Sequence, residues 1–219
     1  MIAEAGLIAL WLAAALSLLQ LGLGVAALNS SPAFAGEGDR PKGGGGALPS
    51  PESPSTALGA VPLPEEISGR NLASAVRPIA VVQAALVGLS FLALIQLFLR
   101  TDLSVKLVAS NSHSLKPWIY KFAGTWGNHE GSMLLWVTVL ALAGAAVALL
   151  ERRLPERTLI ATLAAQAAIG LGFYAFLLFS SNPFERLSPV PSEGNGLNPL
   201  LQDLGLAFHP PTLYFGYVG

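Results

Sequence analysis

Cysteine is absent from all 219 residues. That excludes a disulfide, an iron–sulfur cluster, a thiolate zinc site and a thiol nucleophile within this chain. Charge is nearly as scarce: 11% of the residues are charged, where an ordinary globular domain has about 25%. The charges that exist lie between the apolar runs and not inside them. A net charge of −1 leaves no basic stripe for nucleic acid and no acidic tail. No spacing fits a His–carboxylate zinc motif, a phosphate loop or a serine-triad elbow, so a free-standing hydrolase or nucleotide enzyme is excluded as well. Any metal would have to rest on three histidines and a few carboxylates.

What is present is apolar surface, at 53% hydrophobic residues. A soluble protein needs polar groups to cover its outside; a chain this poor in charge must face lipid. The first run, residues 5–28, is interrupted only by Ser17 and Gln20 and is long enough to cross a hydrocarbon core of roughly 30 Å as a helix. A cleaved signal peptide would read similarly, because Ala33-Phe34-Ala35 resembles a cleavage site. However, Glu4 stands where such a peptide carries basic residues, and the run is too long, which favours a retained helix. Residues 29–72, with Gly43–Gly46 and many prolines and serines, cannot bury enough apolar surface to order themselves and read as a disordered spacer. The membrane domain is then 73–219. Its spans fall near 79–99, opened by Arg77 and Pro78, then 132–150 and 158–179. A small-residue stripe on the last of these (Ala161, Ala164, Ala165, Ala168, Gly172) would let another helix approach closely. Residues 210–219 start like a helix with Pro210 and Pro211 in its first turn, yet ten residues rise only about 15 Å. Either this helix is interfacial or it is the front part of a longer protein, and the second reading is favoured. The expected fold is all-α, a polytopic membrane helix bundle with four full spans and the start of a fifth.

The turn 151–157 carries Arg152, Arg153 and Arg157, which assigns it to the cytoplasm by the positive-inside rule. The loops 100–131 and 180–209 then lie on the opposite side, with the N-terminus, although Arg100, Lys106, Lys116 and Lys121 count against this.

Those two outer loops hold the unusual chemistry. Trp118 and Trp136 suit an interfacial aromatic belt. Trp126-Gly127-Asn128-His129-Glu130-Gly131 suggests a tight turn with backbone close to something. His129 could bind a metal or cofactor, or pair with Glu130; Glu130 and Ser132 could equally cap the helix that follows. His209 is a lone imidazole ahead of two stiffening prolines, among Phe208, Tyr214 and Phe215. Such a group suits an axial ligand to haem iron, or a histidine hydrogen-bonded to a neighbouring loop. His113, in the polar run 110–114, reads as solvated loop.

The chained motifs WGNHEGSMLLW (126–136), SSNPF (180–184) and NPLLQDLGLAFHPPTLYFGYVG (198–219), with VKLVASN (105–111), closely resemble the CcmF family of cytochrome c maturation proteins, with NrfE as close kin. The resemblance implies a haem lyase of the inner (cytoplasmic) membrane, receiving haem from the chaperone CcmE. With CcmH and CcmI it would attach haem to the CXXCH thiols of apocytochrome c. It implies haem b as cofactor, held on the periplasmic face between two histidines, the first matching His209. Trp126, His129, Glu130, Trp136, Pro210 and Pro211 are then contacts of the haem site or of a partner, and no residue here is assigned as catalytic. The second outer histidine, the tryptophan-rich segment and the ligands of a second, membrane-embedded haem fall beyond the matched region. Two features depart from the family: Leu204 replaces a usual proline, and the 29–72 segment is long. A polytopic transporter subunit is the alternative, but the spans offer only Gln20, Gln83, Gln96 and Gln166 as strongly polar members and no carboxylate or lysine. A structural fragment without activity of its own is the third reading.

Overall fold

Four helices long and apolar enough to cross a membrane dominate a computed structural model that describes residues 1–30, 64–199 and 202–218. They are α1 (Ile2–Ser30), α2 (Pro64–Arg100), α5 (His129–Leu150) and α6 (Glu156–Phe179); α3 (Lys106–Asn111), α4 (Trp118–Gly124) and α7 (Leu204–Val218) complete an all-helical architecture. α1 packs against α2 and α6, and α5 against the same two helices. The centre is filled by Leu10, Val87, Leu94, Leu134, Tyr174 and Leu177, all buried, while Leu18, Leu89, Leu92 and Ile169 stand exposed on the outside. A bundle with apolar residues on both faces is what a lipid solvent selects.

Polar side chains inside the bundle are spent on joining helices. Gln20 Nε2 donates to the Leu163 carbonyl at 2.8 Å and to Gln166 Oε1 at 3.2 Å, and Ser17 Oγ donates to the Ala167 carbonyl at 3.0 Å. Gln83 Nε2 donates to the Tyr174 hydroxyl at 3.0 Å. Such bonds contribute on the order of 1 kcal/mol each in a membrane bundle. The close approach of α6 to α1 shares only Ala164 with the stripe expected from sequence. Gly24 lies against Ala164, and Gly170 faces Ser17, whereas Ala161, Ala165, Ala168 and Gly172 are not buried by it.

Several boundaries differ from those read off the sequence. The expected spacer 29–72 lies partly outside the described residues (31–63); residues 29–30 belong to α1 and 64–72 to α2. Pro64 begins α2, a place where proline is tolerated because it lacks an N–H that would be unpaired there. Pro78 therefore sits inside α2 and does not open it. Pro210 and Pro211 likewise sit inside α7, which begins at Leu204. The loop 100–131, expected to be irregular, contains α3 and α4.

The ends of the bundle are distinct. At one, the short turn between α5 and α6 is closed by Arg77, whose Nη1 donates to the carbonyls of Ala148 at 3.1 Å and Glu151 at 3.3 Å. At the other, Val105 and Arg186 form an antiparallel bridge, with Lys106 N–H on the Glu185 carbonyl and Leu187 N–H on that of Ser104, each at 2.8 Å. Arg186 reaches Glu4 at the start of α1 and Asp102 after α2. The N-terminus and the loops 100–131 and 180–199 thus share one end, opposite the arginine turn.

Candidate functional site

The start of α5 is fixed by backbone demands. Asn128 is the N-cap: its Oδ1 accepts from Gly131 N–H at 2.7 Å, while its Nδ2 donates to the Gly124 carbonyl at 2.7 Å. A Cβ on Gly131 would run into the Thr125 carbonyl, which explains the second glycine of the box. Ser132, read as a possible cap, donates instead to the Trp126 carbonyl at 2.7 Å. Glu130 lies in the first turn, where its charge suits the helix dipole.

Trp126 is buried, edge-on to Phe122 at 4.7 Å between ring centroids. Its indole N–H donates to the carbonyl of Ala207 at 2.9 Å. In an unbroken helix that carbonyl would accept from residue 211, but Pro211 has no N–H. The proline frees an acceptor and the tryptophan takes it, so α7 can run through both prolines while tied to the turn between α4 and α5. Trp136 makes the second tie, with its ring 5.2 Å from Tyr214 and 5.9 Å from Phe173. Trp118, by contrast, is 70% exposed.

His129 pairs with neither Glu130 nor another carboxylate among the described residues. Its Nδ1 lies 3.2 Å from Ser181 Oγ in the SSNPF motif, and its ring meets Phe176 edge-on at 5.4 Å. Trp126, Asn128, His129, Ser132 and Pro210 line one cavity of about 340 Å³, so the box before α5 and the FHPP motif of α7 come together. His209 stands beside that cavity and does not line it. It is exposed, its carbonyl accepts from Thr212 Oγ1 at 2.8 Å, and its imidazole has no hydrogen-bond partner among the described residues. Phe208, Leu213, Phe215 and Tyr217 are exposed on the same helix. Pro211 acts through the carbonyl it liberates.

The neighbouring loops are held by Glu193. Its carboxylate accepts from Ser114 Oγ at 2.5 Å, from Ser114 N–H at 3.0 Å and from Gly194 N–H at 3.0 Å. The Ser114 hydroxyl, first among these donors, holds the Glu193 carboxyl down at about 2. His113 Nε2 lies 3.9 Å from this carboxylate. Among the described residues no cluster of three or more His, Cys, Asp or Glu side chains could hold a bare metal ion. Sequence reasoning did not find Ser181, Phe122 or the Asn128 cap; only Asn128, a good N-cap type three residues before Gly131, carried a local signal.

Comparisons with known proteins converge on these segments. The family model for cytochrome C assembly proteins matches residues 126–219. The cytochrome c-type biogenesis protein ccl1 of Rhodobacter capsulatus is 56% identical over 142 residues, covering 65% of this chain and 22% of that protein. CcmF of Pseudomonas aeruginosa is 51% identical over 151 residues, covering 68% and 23% respectively. A solved structure of the cytochrome c haem lyase CcmF matches the whole chain with a TM-score of 0.70 at 22% identity, over 28% of its own length; at that identity the likeness speaks for the fold alone. The chain spans less than a quarter of the length of these two curated relatives.

Proposed function

This chain belongs to the CcmF family of cytochrome c biogenesis proteins, and on that premise we propose that it holds haem and presents it for covalent attachment to the CXXCH thiols of apocytochrome c. The observation that carries the reading is the state of His209: an exposed imidazole without a hydrogen-bond partner among the described residues, mounted on a helix that Trp126 and Trp136 tie to α5 and the turn before it. A neutral ring nitrogen free of other bonds is what an axial iron position requires. Phe208, Leu213 and Phe215 offer apolar surface beside it for a porphyrin face. His209 would supply one imidazole nitrogen to hold the haem iron. His129 is turned to Ser181 and acts as cavity wall, with Trp126, Glu130 and Trp136 as supporting or partner contacts.

The haem, b-type in this reading, supplies the vinyl groups across which thiols add; each addition forms a carbon–sulfur bond and moves the thiol proton to the other vinyl carbon, without net oxidation. The chain's own contribution is position. Anchoring α7 at Ala207 and Tyr214 fixes His209 relative to the cavity, and holding one reactant in a set orientation lowers the barrier to meeting the other. CcmE as haem donor, CcmH and CcmI as partners, and the inner membrane with His209 on the periplasmic side belong to the same proposal, as does a spacer role for the segment between α1 and α2.

The test is His209→Ala in the full-length protein in cells, read by the haem absorption of the purified protein and by the yield of holocytochrome c. Both are expected to fall about tenfold or more, as for loss of a metal-orienting ligand. Unchanged values in both would remove His209 from the site.

A further inference from the structure

Beyond the start of α4 lies a second cavity of opposite character, about 330 Å³ in volume, bounded by His113, Lys116 and Pro117 on one side and by Asn195 and Gln202 on the other. Its walls carry hydrogen-bond donors in surplus. Lys116 Nζ donates to the Asn111 carbonyl at 2.8 Å, which leaves two ammonium hydrogens. Gln202 Nε2 donates to the Leu197 carbonyl at 3.0 Å, which leaves one. His113 Nδ1 accepts from Leu115 N–H at 3.2 Å, so the ring proton sits on Nε2, whose distance of 3.9 Å from Glu193 is too long for a hydrogen bond.

Two ammonium groups stand on this side of α4. The Lys121 ammonium, bonded to the Ser114 carbonyl at 2.9 Å, adds to that of Lys116. The Glu193 carboxylate is spoken for by Ser114 and Gly194, and Asp203 Oδ1 accepts from Gly205 N–H at 2.8 Å. Partial burial, then repulsion from Lys121, brings Lys116 down to about 8. An ammonium in that position gains from any anion that joins it.

The location gives the anion a source. α4 separates the two cavities, with Lys116 and Pro117 just before it and Ala123 near its end. The segment 202–210 runs beside it, from Gln202 in the basic cavity, past Ala207 on Trp126, to Pro210 in the other. α7 begins at Leu204, two residues after Gln202, and His209 lies about 8 Å along it at a helical rise of 1.5 Å per residue. A porphyrin bound at His209 carries its carboxylates on one half of its rim and its vinyl groups on the other.

We infer that Lys116, His113 and Gln202 form a carboxylate subsite that seats the propionate edge of the porphyrin held at His209, turning the vinyl edge away toward incoming thiols. This rests on the haem reading above. The basic cavity thereby sets orientation, because a ring with its acidic edge docked cannot rotate about the iron–nitrogen bond.

The experiment compares haem with haem dimethyl ester, which lacks both negative charges, on the full chain in phosphatidylcholine nanodiscs. The expected result is a preference of about tenfold for the acid, the scale of one charge-assisted hydrogen bond. Lys116→Gln should reduce that preference to within about twofold while Lys116→Arg retains it, which separates loss of charge from disturbance of the loop. The Soret band of the His209-bound species should be the same in every case. Equal affinity of the unaltered chain for both porphyrins, or a Lys116→Gln chain that still prefers the acid, overturns the subsite and leaves His209 standing. If neither porphyrin gives a Soret change, the haem reading falls and the subsite with it. If acid and ester bind alike but phosphatidylglycerol binds in a Lys116-dependent way, the cavity takes a lipid phosphate and the propionate assignment is wrong.

Discussion

The two ends of the helix bundle are closed by different kinds of bond. At the arginine end the bonds are mostly local: Glu151 Oε1 accepts from Arg153 N–H at 2.6 Å and Leu154 N–H at 3.2 Å. Those backbone donors hold its carboxyl below the usual range. Arg77 covers the last carbonyls of α5 from the neighbouring helix. At the other end the bonds join residues far apart in the chain: Trp126 to Ala207, His129 to Ser181, Ser114 to Glu193, Arg186 to Glu4. A turn that merely reverses the chain needs nothing more than its own backbone satisfied. An end that keeps α4, α7 and two loops in fixed relation needs cross-links and positions without side chains. The cavity lined by Trp126 and His129 and the one lined by His113 and Lys116 both open at this second end.

The contrast can be broken by adding a single methyl group. Gly131→Ala forces a Cβ into the Thr125 carbonyl, while a Cβ on Gly172, on the outer face of α6, would meet nothing within 4 Å. Gly131→Ala is expected to destabilise the fold by about 3 kcal/mol or more. Gly172→Ala should be neutral or stabilising by up to about 1 kcal/mol, since alanine is the better helix former. Thermal unfolding in detergent micelles reads both. A smaller effect is expected from Trp126→Phe, which deletes the donor to Ala207 and leaves that carbonyl unpaired at a cost of about 1–3 kcal/mol. Hydrogen exchange in α7 should accelerate, whereas Trp118→Phe, at an exposed ring, should leave α7 protection unchanged. Equal protection in the two variants would show that α7 is held by something other than the indole.

The smallest effect concerns acid. Glu193 has a folded-state pKa of about 2, below an ordinary carboxylate, chiefly because the Ser114 hydroxyl donates to it. A depressed carboxylate contributes its stability above the unfolded pKa, and that contribution is lost as pH falls through the folded one. The Ser114 amide should therefore stay protected near neutral pH and lose protection progressively from about pH 4 down to about 2. Glu193→Gln should remove this dependence, and the arginine turn serves as the reference segment.

The spans were legible because hydropathy over about twenty residues averages out local detail. Helix ends were not, and the prolines show why. Pro78, Pro210 and Pro211 read as starts because proline is tolerated there, yet the structure places all three inside helices. For Pro211 the compensation is visible: the acceptor it orphans is filled by an indole 81 residues away in the chain. No local pattern encodes that. α3 and α4, of 6 and 7 residues, are too short to persist alone and exist through their tertiary contacts. At the site, the two glycines and the histidines stood out in the sequence by type. Gly131 was read rightly as a place of close backbone approach, but the partner of His129 was not readable, because Ser181 is an ordinary loop serine until folding brings it near. His209 was read as stiffened from behind by paired prolines; in the structure its mount is a helix already under way, docked through Ala207 and Tyr214.

The most direct test asks whether the imidazole and the triple-arginine turn face opposite compartments, and a chain without cysteine makes it clean. Single-cysteine variants His209→Cys and Arg153→Cys would be treated in intact spheroplasts with a membrane-impermeant maleimide. The account expects His209→Cys to label from outside and Arg153→Cys to label only after lysis. Labelling of both from the same side, or in the reverse order, would contradict it.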